Sequence, residues 1–177
     1  MAHTATTATK PGKPDPLSVG SHVFYPAHGV ASVAGVESRE FGSERQQFYV
    51  LELARGGKLL LPTGNVELAG VRSLVSPTAA RRLMKKVRTQ PDADKTGWKD
   101  RVESFTDALR GGEAEVYTAV LQQLLFRARS DKLSAAERRI LETARTYFVA
   151  EIGAVLERTP AQIAEQLDAP ADAESKT

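Results

Sequence analysis

The sequence predicts an α+β protein, with a small β module followed by a compact all-α domain of about five helices. Two observations carry this. Near Ser76 the spacing of apolar residues changes from about two to about 3.6, the switch from strand to helix. The punctuation changes at the same place, from tight glycine turns to helix N-caps. The expected organisation is a disordered arm over residues 1–17, a β module over 18–75, a helical domain over 76–168 and a loose tail over 169–177.

In the first half, β-rich runs at residues 22–25, 30–39, 47–53 and 58–61 are separated by Pro26-Ala27-His28-Gly29, Gly42-Ser43 and Arg55-Gly56-Gly57. Four or five short strands joined this tightly predict a small, strongly bent sheet or barrel. Pro62 and Gly64 close the last long strand, and a short apolar segment at 66–75 leads out. In the second half, Ser76-Pro77 is an N-cap with proline at the first helical position. A polar loop at 89–97 ends that helix. Trp98, Val102, Phe105 and Leu109 then mark one face of a second helix, which stops at Gly111-Gly112. Val116, Val120, Leu121, Leu124 and Leu125 predict a third. Ser134-Ala135-Ala136-Glu137 is a capping box opening a fourth, with a stripe of Ile140, Leu141, Ala144, Phe148, Ile152 and Val155. Thr159-Pro160 caps a short last helix containing Ile163 and Leu167.

Composition bounds the function. The 177 residues are 41% hydrophobic and 26% charged, a balance that suits a folded chain. No cysteine is present, which excludes disulfides and thiolate chemistry and suits a reducing cytoplasm. No apolar run approaches a membrane-spanning length, and residues 1–16 lack the apolar core of a signal peptide. His3, His22 and His28 stand apart from any carboxylate cluster, so neither metal nor cofactor is expected. Nucleophile elbows, phosphate loops and dinucleotide fingerprints are missing, and no enzyme is predicted.

The net charge of +2 conceals an asymmetry. Residues 76–101 carry 8 basic and 3 acidic side chains, whereas residues 102–177 carry 9 and 13. Any nucleic acid should therefore meet the chain at Arg81, Arg82, Lys85, Lys86, Lys99 and Arg101. Trp98 lies among them. Its spacing makes it the first residue of a buried stripe, while the polar loop before it and its basic neighbours favour an exposed aromatic wedge. We expect an exposed indole edge, its base resting on Val102, with Arg101 as a second candidate support. A second feature also demands a partner or a cover. In the hairpin of residues 48–53 and 58–61, Leu60 must face away from Leu59 and Leu61, and Val50 away from Leu51. Both faces are apolar, so the helical half, another subunit or another protein must cover one.

Residues 19–30, Val-Gly-Ser-His-Val-Phe-Tyr-Pro-Ala-His-Gly-Val, resemble the VGDxVVYPxxGV opening of the CarD–CdnL family. Leu61-Pro62 followed by Gly70-Val71-Arg72 is similar to its VP…GVR segment. Trp98-Lys99-Asp100-Arg101 matches its tryptophan-plus-basic motif, and residues 134–149 its LSxxExxxLxxARxxLxxE stretch. The resemblance spans residues 18–157 in four ordered matches. It implies a Tudor-like, SH3-type module that binds the RNA polymerase β subunit, a module also found in the transcription-repair coupling factor. It implies a helical domain whose tryptophan leans on the upstream edge of the promoter bubble and stabilises the open complex. By position the resemblance places Arg39 and Leu60 at the polymerase contact, and Val50 and Pro62 of the two-faced hairpin are further candidates for it. The implied DNA contacts are Trp98 and the basic residues around it, on weakly and non-specifically bound promoter DNA. Asp100 and Glu103 stand where many members are basic or polar, which weakens the expected phosphate grip. The resemblance thus implies a monomeric, nucleoid-associated transcription regulator. The rival reading is an adaptor that tethers a further protein regulator to polymerase without touching DNA.

Overall fold

The computed structural model describes residues 17–169, apart from positions 27, 42–43, 55, 93–95 and 131. All but the last residue of the expected arm (1–17) and all but the first of the expected tail (169–177), with His3 and the Gly42-Ser43 turn, lie outside the described residues. Leu17, assigned to the arm, is instead buried in the core of the β module. The strands are β1 (His22–Tyr25), β2 (Gly29–Phe41), β3 (Glu44–Leu53), β4 (Lys58–Pro62) and β5 (Arg72–Ser73). They form one antiparallel sheet in the order β4-β3-β2-β1-β5. A meander whose last short strand returns beside its first is the connectivity of a small SH3-type, Tudor-like module.

β2 and β3 pair farther than the apolar pattern indicates, through Arg39↔Gln46, Glu40↔Arg45 and Phe41↔Glu44. Apart from Phe41 the added residues, Glu40, Glu44, Arg45 and Gln46, are polar, so alternation could not reveal the ribbon. Opposite charges facing across the ladder at Glu40 and Arg45 support it instead. An irregularity between Val33 and Gly35 accommodates the extra residue Ala34.

The helices are α1 (Pro77–Arg88), α2 (Trp98–Arg110), α3 (Ala114–Ser130), α4 (Ala135–Leu156) and α5 (Pro160–Asp168). Their starts follow from local chemistry. The Ser76 hydroxyl accepts from the Ala79 N–H at 3.2 Å, and reciprocal capping boxes open α4 at Ser134/Glu137 and α5 at Thr159/Gln162. Ile140, Ala144, Phe148 and Ile152 of α4 are buried, at the spacing of a single helix face.

The chain builds two cores, and their membership crosses the sequence boundary at Ser76. Val23, Ala31, Val33, Leu51, Leu61 and Val71 form one inside the β module. Phe24 and Val30 turn the other way and join the helical core with Tyr117, Leu121 and Phe148. Strand alternation is the cause, since Val23 and Phe24 must point to opposite faces. Phe24 packs at 5.8 Å from the Tyr117 ring and 5.2 Å from the Tyr147 ring, and Tyr147 donates to the Pro26 carbonyl. Gly112, with φ of +66°, makes this approach possible. A Cβ there would sit 2.7 Å from Pro26 Cγ and 2.8 Å from Phe24 Cε1.

Polar groups bind the same seam. The Arg72 guanidinium donates to both carboxylate oxygens of Glu151, at 2.7 and 2.8 Å, and to the Gly112 carbonyl at 2.6 Å. Glu151 also accepts from the Tyr117 hydroxyl at 2.7 Å and the Val75 N–H at 2.9 Å. Burial, together with the Glu151 charge, pushes the Tyr117 phenol far above its ordinary range, so it stays a donor. Arg72 further stacks over Phe24, 4.5 Å from the ring centroid.

Candidate functional site

The ladder register sorts the β-module candidates. Val50 lies opposite Leu60, Phe48 opposite Pro62, Gly35 opposite Val50 and Arg39 opposite Gln46. Directly opposed residues share a face, so Arg39, Phe48, Val50, Leu60 and Pro62 all lie on one side of β2–β3–β4. Phe24 and Val30 occupy the same side farther along, where the helical half covers it. That cover falls on β1 and the start of β2, and the second face of the β3–β4 hairpin stands outside the helical core. Val50 itself is only 6% exposed, and this corrects its assignment as a contact residue. It sits on the central strand of the three, between Phe48 and Glu52 along β3, opposite Leu60 on one side and Gly35 on the other. Leu60 and Pro62 are half-buried and Arg39 is exposed, paired with Glu37 at 3.3 Å. Phe48, absent from the sequence-based candidates, is 8% exposed and forms part of the floor of this face. Its pairing with Pro62, legible only from register, is the signal that places it there.

The basic candidates divide into three groups. Arg81 and Lys85 stand one turn apart on α1, exposed and without a carboxylate partner among the described residues. Arg82 and Lys86 face α3 instead. Both reach Glu115, the latter at 3.5 Å, so a phosphate would have to compete with that carboxylate. Arg101 is 4% exposed, and this corrects its assignment as a DNA contact. Its guanidinium is consumed inside the protein, by Glu137 at 3.1 Å and the Thr96 carbonyl at 2.8 Å. Burial alone would raise the Glu137 carboxyl. Hydrogen bonds from Ser134 and the Arg101 cation outweigh it and hold the group below the usual carboxylate range.

Trp98 is 56% exposed, as the first residue of α2. The stripe behind it holds without it, because Phe105 and Leu109 are buried and Val102 is half-buried. Lys99 lies with its Nζ 5.7 Å from the indole centroid, so an exposed aromatic and an exposed cation share this corner. Asp100 occupies the first turn of α2, where a carboxylate offsets the helix dipole. Among the described residues, no cluster of His, Asp or Glu could hold a metal, and no helix is long and apolar enough to cross a membrane.

The molecule is a Tudor-like module joined through a common core to a helical bundle bearing an exposed tryptophan. Residues 17–75 match the CarD-like/TRCF RID domain model, and residues 82–168 match the CarD C-terminal domain model. The chain belongs to the CarD family. It is 25% identical over 148 residues to YdeB of Bacillus subtilis (strain 168), a protein whose name describes it as a candidate transcription factor. That match covers 83% of this chain and 97% of the relative. The 72-residue N-terminal domain of Myxococcus xanthus CarD, solved by solution NMR, matches at 27% identity with a TM-score of 0.29. It covers 39% of this chain and 93% of that one.

Proposed function

We propose that the chain binds the RNA polymerase β subunit through the Arg39–Leu60–Pro62 face and touches promoter DNA at the upstream edge of the bubble through Trp98. The consequence is a longer-lived open complex. The protein acts without catalysis, in the cytoplasm and in association with the nucleoid. The observation that carries this reading is the exposure of Trp98 beside Lys99, on a helical half packed directly onto the β module. Such packing lets a grip on polymerase hold the indole at one place on the DNA. Arg39 offers a cation and Leu60 an apolar side chain on the same face, a mixture that suits a protein partner. β4 is an edge strand, open to pairing with a strand of that partner.

Two substitutions test the polymerase face in the full chain. Arg39→Glu reverses an exposed charge, and Leu60→Asp places a carboxylate in an apolar contact. Each should weaken binding to the isolated β subunit by roughly tenfold, with an unchanged melting temperature for Arg39→Glu. Titration calorimetry that finds both variants binding like the parent would refute this assignment.

The adaptor reading draws support from the buried Arg101 and the engaged Arg82 and Lys86, which reduce the cations free for phosphate. Only Arg81, Lys85 and Lys99 of the candidate set remain exposed without a carboxylate partner among the described residues. Binding to free duplex DNA should therefore be weak, with a logarithmic salt slope of about 3 or less in magnitude. Fluorescence anisotropy across a salt series measures it, and a slope near 6 would mean that many more phosphates are neutralised. Open-complex lifetimes separate the two functions, because an adaptor leaves them unaltered.

A further inference from the structure

Trp98 is exposed, and its helix begins poorly anchored, since the N-cap is Gly97 and supplies no side-chain hydrogen bond. An aromatic wedge held only by its own rotamer would lose freedom on meeting DNA and bind less well for it. The groups that hold the backbone here come from elsewhere. Arg101 Nη1 donates to the Thr96 carbonyl, two residues before Trp98, at 2.8 Å. The same guanidinium grips Glu137 Oε1 through Nε at 3.2 Å and Nη2 at 3.1 Å. Glu137 is itself fixed, its other oxygen accepting from the Ser134 N–H at 2.9 Å in the capping box of α4. Arg127 of α3 approaches Glu137 Oε1 to 3.5 Å. A chain of charged contacts therefore runs from the start of α4, with α3 alongside, to the loop that aims the indole.

We propose that Arg101 is a positioning residue for Trp98, transmitting the rigidity of the α3–α4 pair to the first turn of α2. This deepens the DNA-contact reading and rests on it. The planar guanidinium is required because it must serve a carboxylate and a backbone carbonyl in different directions at once. Trp98 is thus held ready before DNA arrives.

The test uses the full chain and the double variant Arg101→Met/Glu137→Gln. It removes both buried charges together, which avoids a lone buried ion, and glutamine keeps an oxygen for the capping box. Trp98 is the only tryptophan, so its fluorescence reports the site directly. The expected result is a melting temperature close to the parent's, lower steady-state indole anisotropy and stronger acrylamide quenching. On promoter DNA with polymerase, open-complex lifetime should fall to the level of Trp98→Ala, and adding Trp98→Ala to the double variant should shorten it no further. Unchanged anisotropy and lifetime would overturn the proposal. Should the double variant fail to fold, Arg101→Lys replaces it. A single nitrogen on a different stem cannot take up the separate Nη1, Nε and Nη2 positions of the guanidinium and weakens at least one of the two grips. A folded Arg101→Lys protein with a loosened indole supports the proposal, and one with parental anisotropy overturns it. If Trp98→Ala itself leaves the lifetime unaltered, the DNA reading fails, and the anisotropy comparison alone decides the positioning role.

Discussion

Replacing Glu151 with alanine is expected to destabilise the protein by about 3–5 kcal/mol, the cost of breaking a buried ion pair from one side. Glu151 is 0% exposed and serves Arg72, Tyr117 and the Val75 backbone together. Alanine would leave a cation, a phenol and an amide without their acceptor in a place water reaches poorly. For a chain of this size each kcal/mol corresponds to roughly 2–4 °C, so the midpoint should fall by about 6–20 °C. Differential scanning calorimetry measures the shift. The paired change Arg72→Met/Glu151→Leu should recover much of the loss, because no charge is then stranded. A fall below about 2 °C for the single variant would mean that the network contributes little to joining the two halves.

The contrast between Glu151 and the helix caps shows what the sequence makes legible. Ser76-Pro77, Ser134…Glu137 and Thr159-Pro160 announce themselves because each partner lies within three residues of its cap. The apolar stripe of α4 is equally plain, since helical period and burial coincide. Arg72 and Glu151, by contrast, lie 79 positions apart, and neither residue carries a local sign that it is buried. Arg101 misleads for the same reason. It closes a run of cations, and its partner Glu137 is 36 positions away, where the capping box already accounts for it. Summed charge locates a field but not which members of the run face water. Val50 and Phe48 show the corresponding gap in strands. Alternation says that they share a face, while the register that sets them opposite Leu60 and Pro62 is fixed by strand pairing and not by local pattern. Trp98 could be read because position within the helix, and not spacing alone, decides exposure. A first-turn residue can reach past the helix end while Phe105 and Leu109 keep the stripe.

Trp98→Ala should separate function from stability more sharply than any other single change. At 56% exposure the indole contributes little to the core, so the melting temperature should move by about 2 °C or less, within the ±0.5 kcal/mol of ordinary surface substitutions. A buried tryptophan in the same stripe would instead leave a cavity and cost about 3–5 kcal/mol. The functional loss should be far larger than the structural one. Aromatic side chains packed on bases contribute about 1–3 kcal/mol each, which corresponds to roughly 5–150-fold in an equilibrium. If Trp98 presses on the upstream edge of the bubble, open-complex lifetime in the presence of the variant should fall by a factor in that range. Trp98→Phe should restore part of it, since a smaller ring still offers a face. Binding to the isolated β subunit should not change, because the Arg39–Leu60–Pro62 face lies on the β module. Lifetimes from competitor-challenge assays, read beside the melting curves, decide the matter. A variant that melts well below the parent would place Trp98 in the core, and a stable variant with parental lifetime would remove it from the DNA interface.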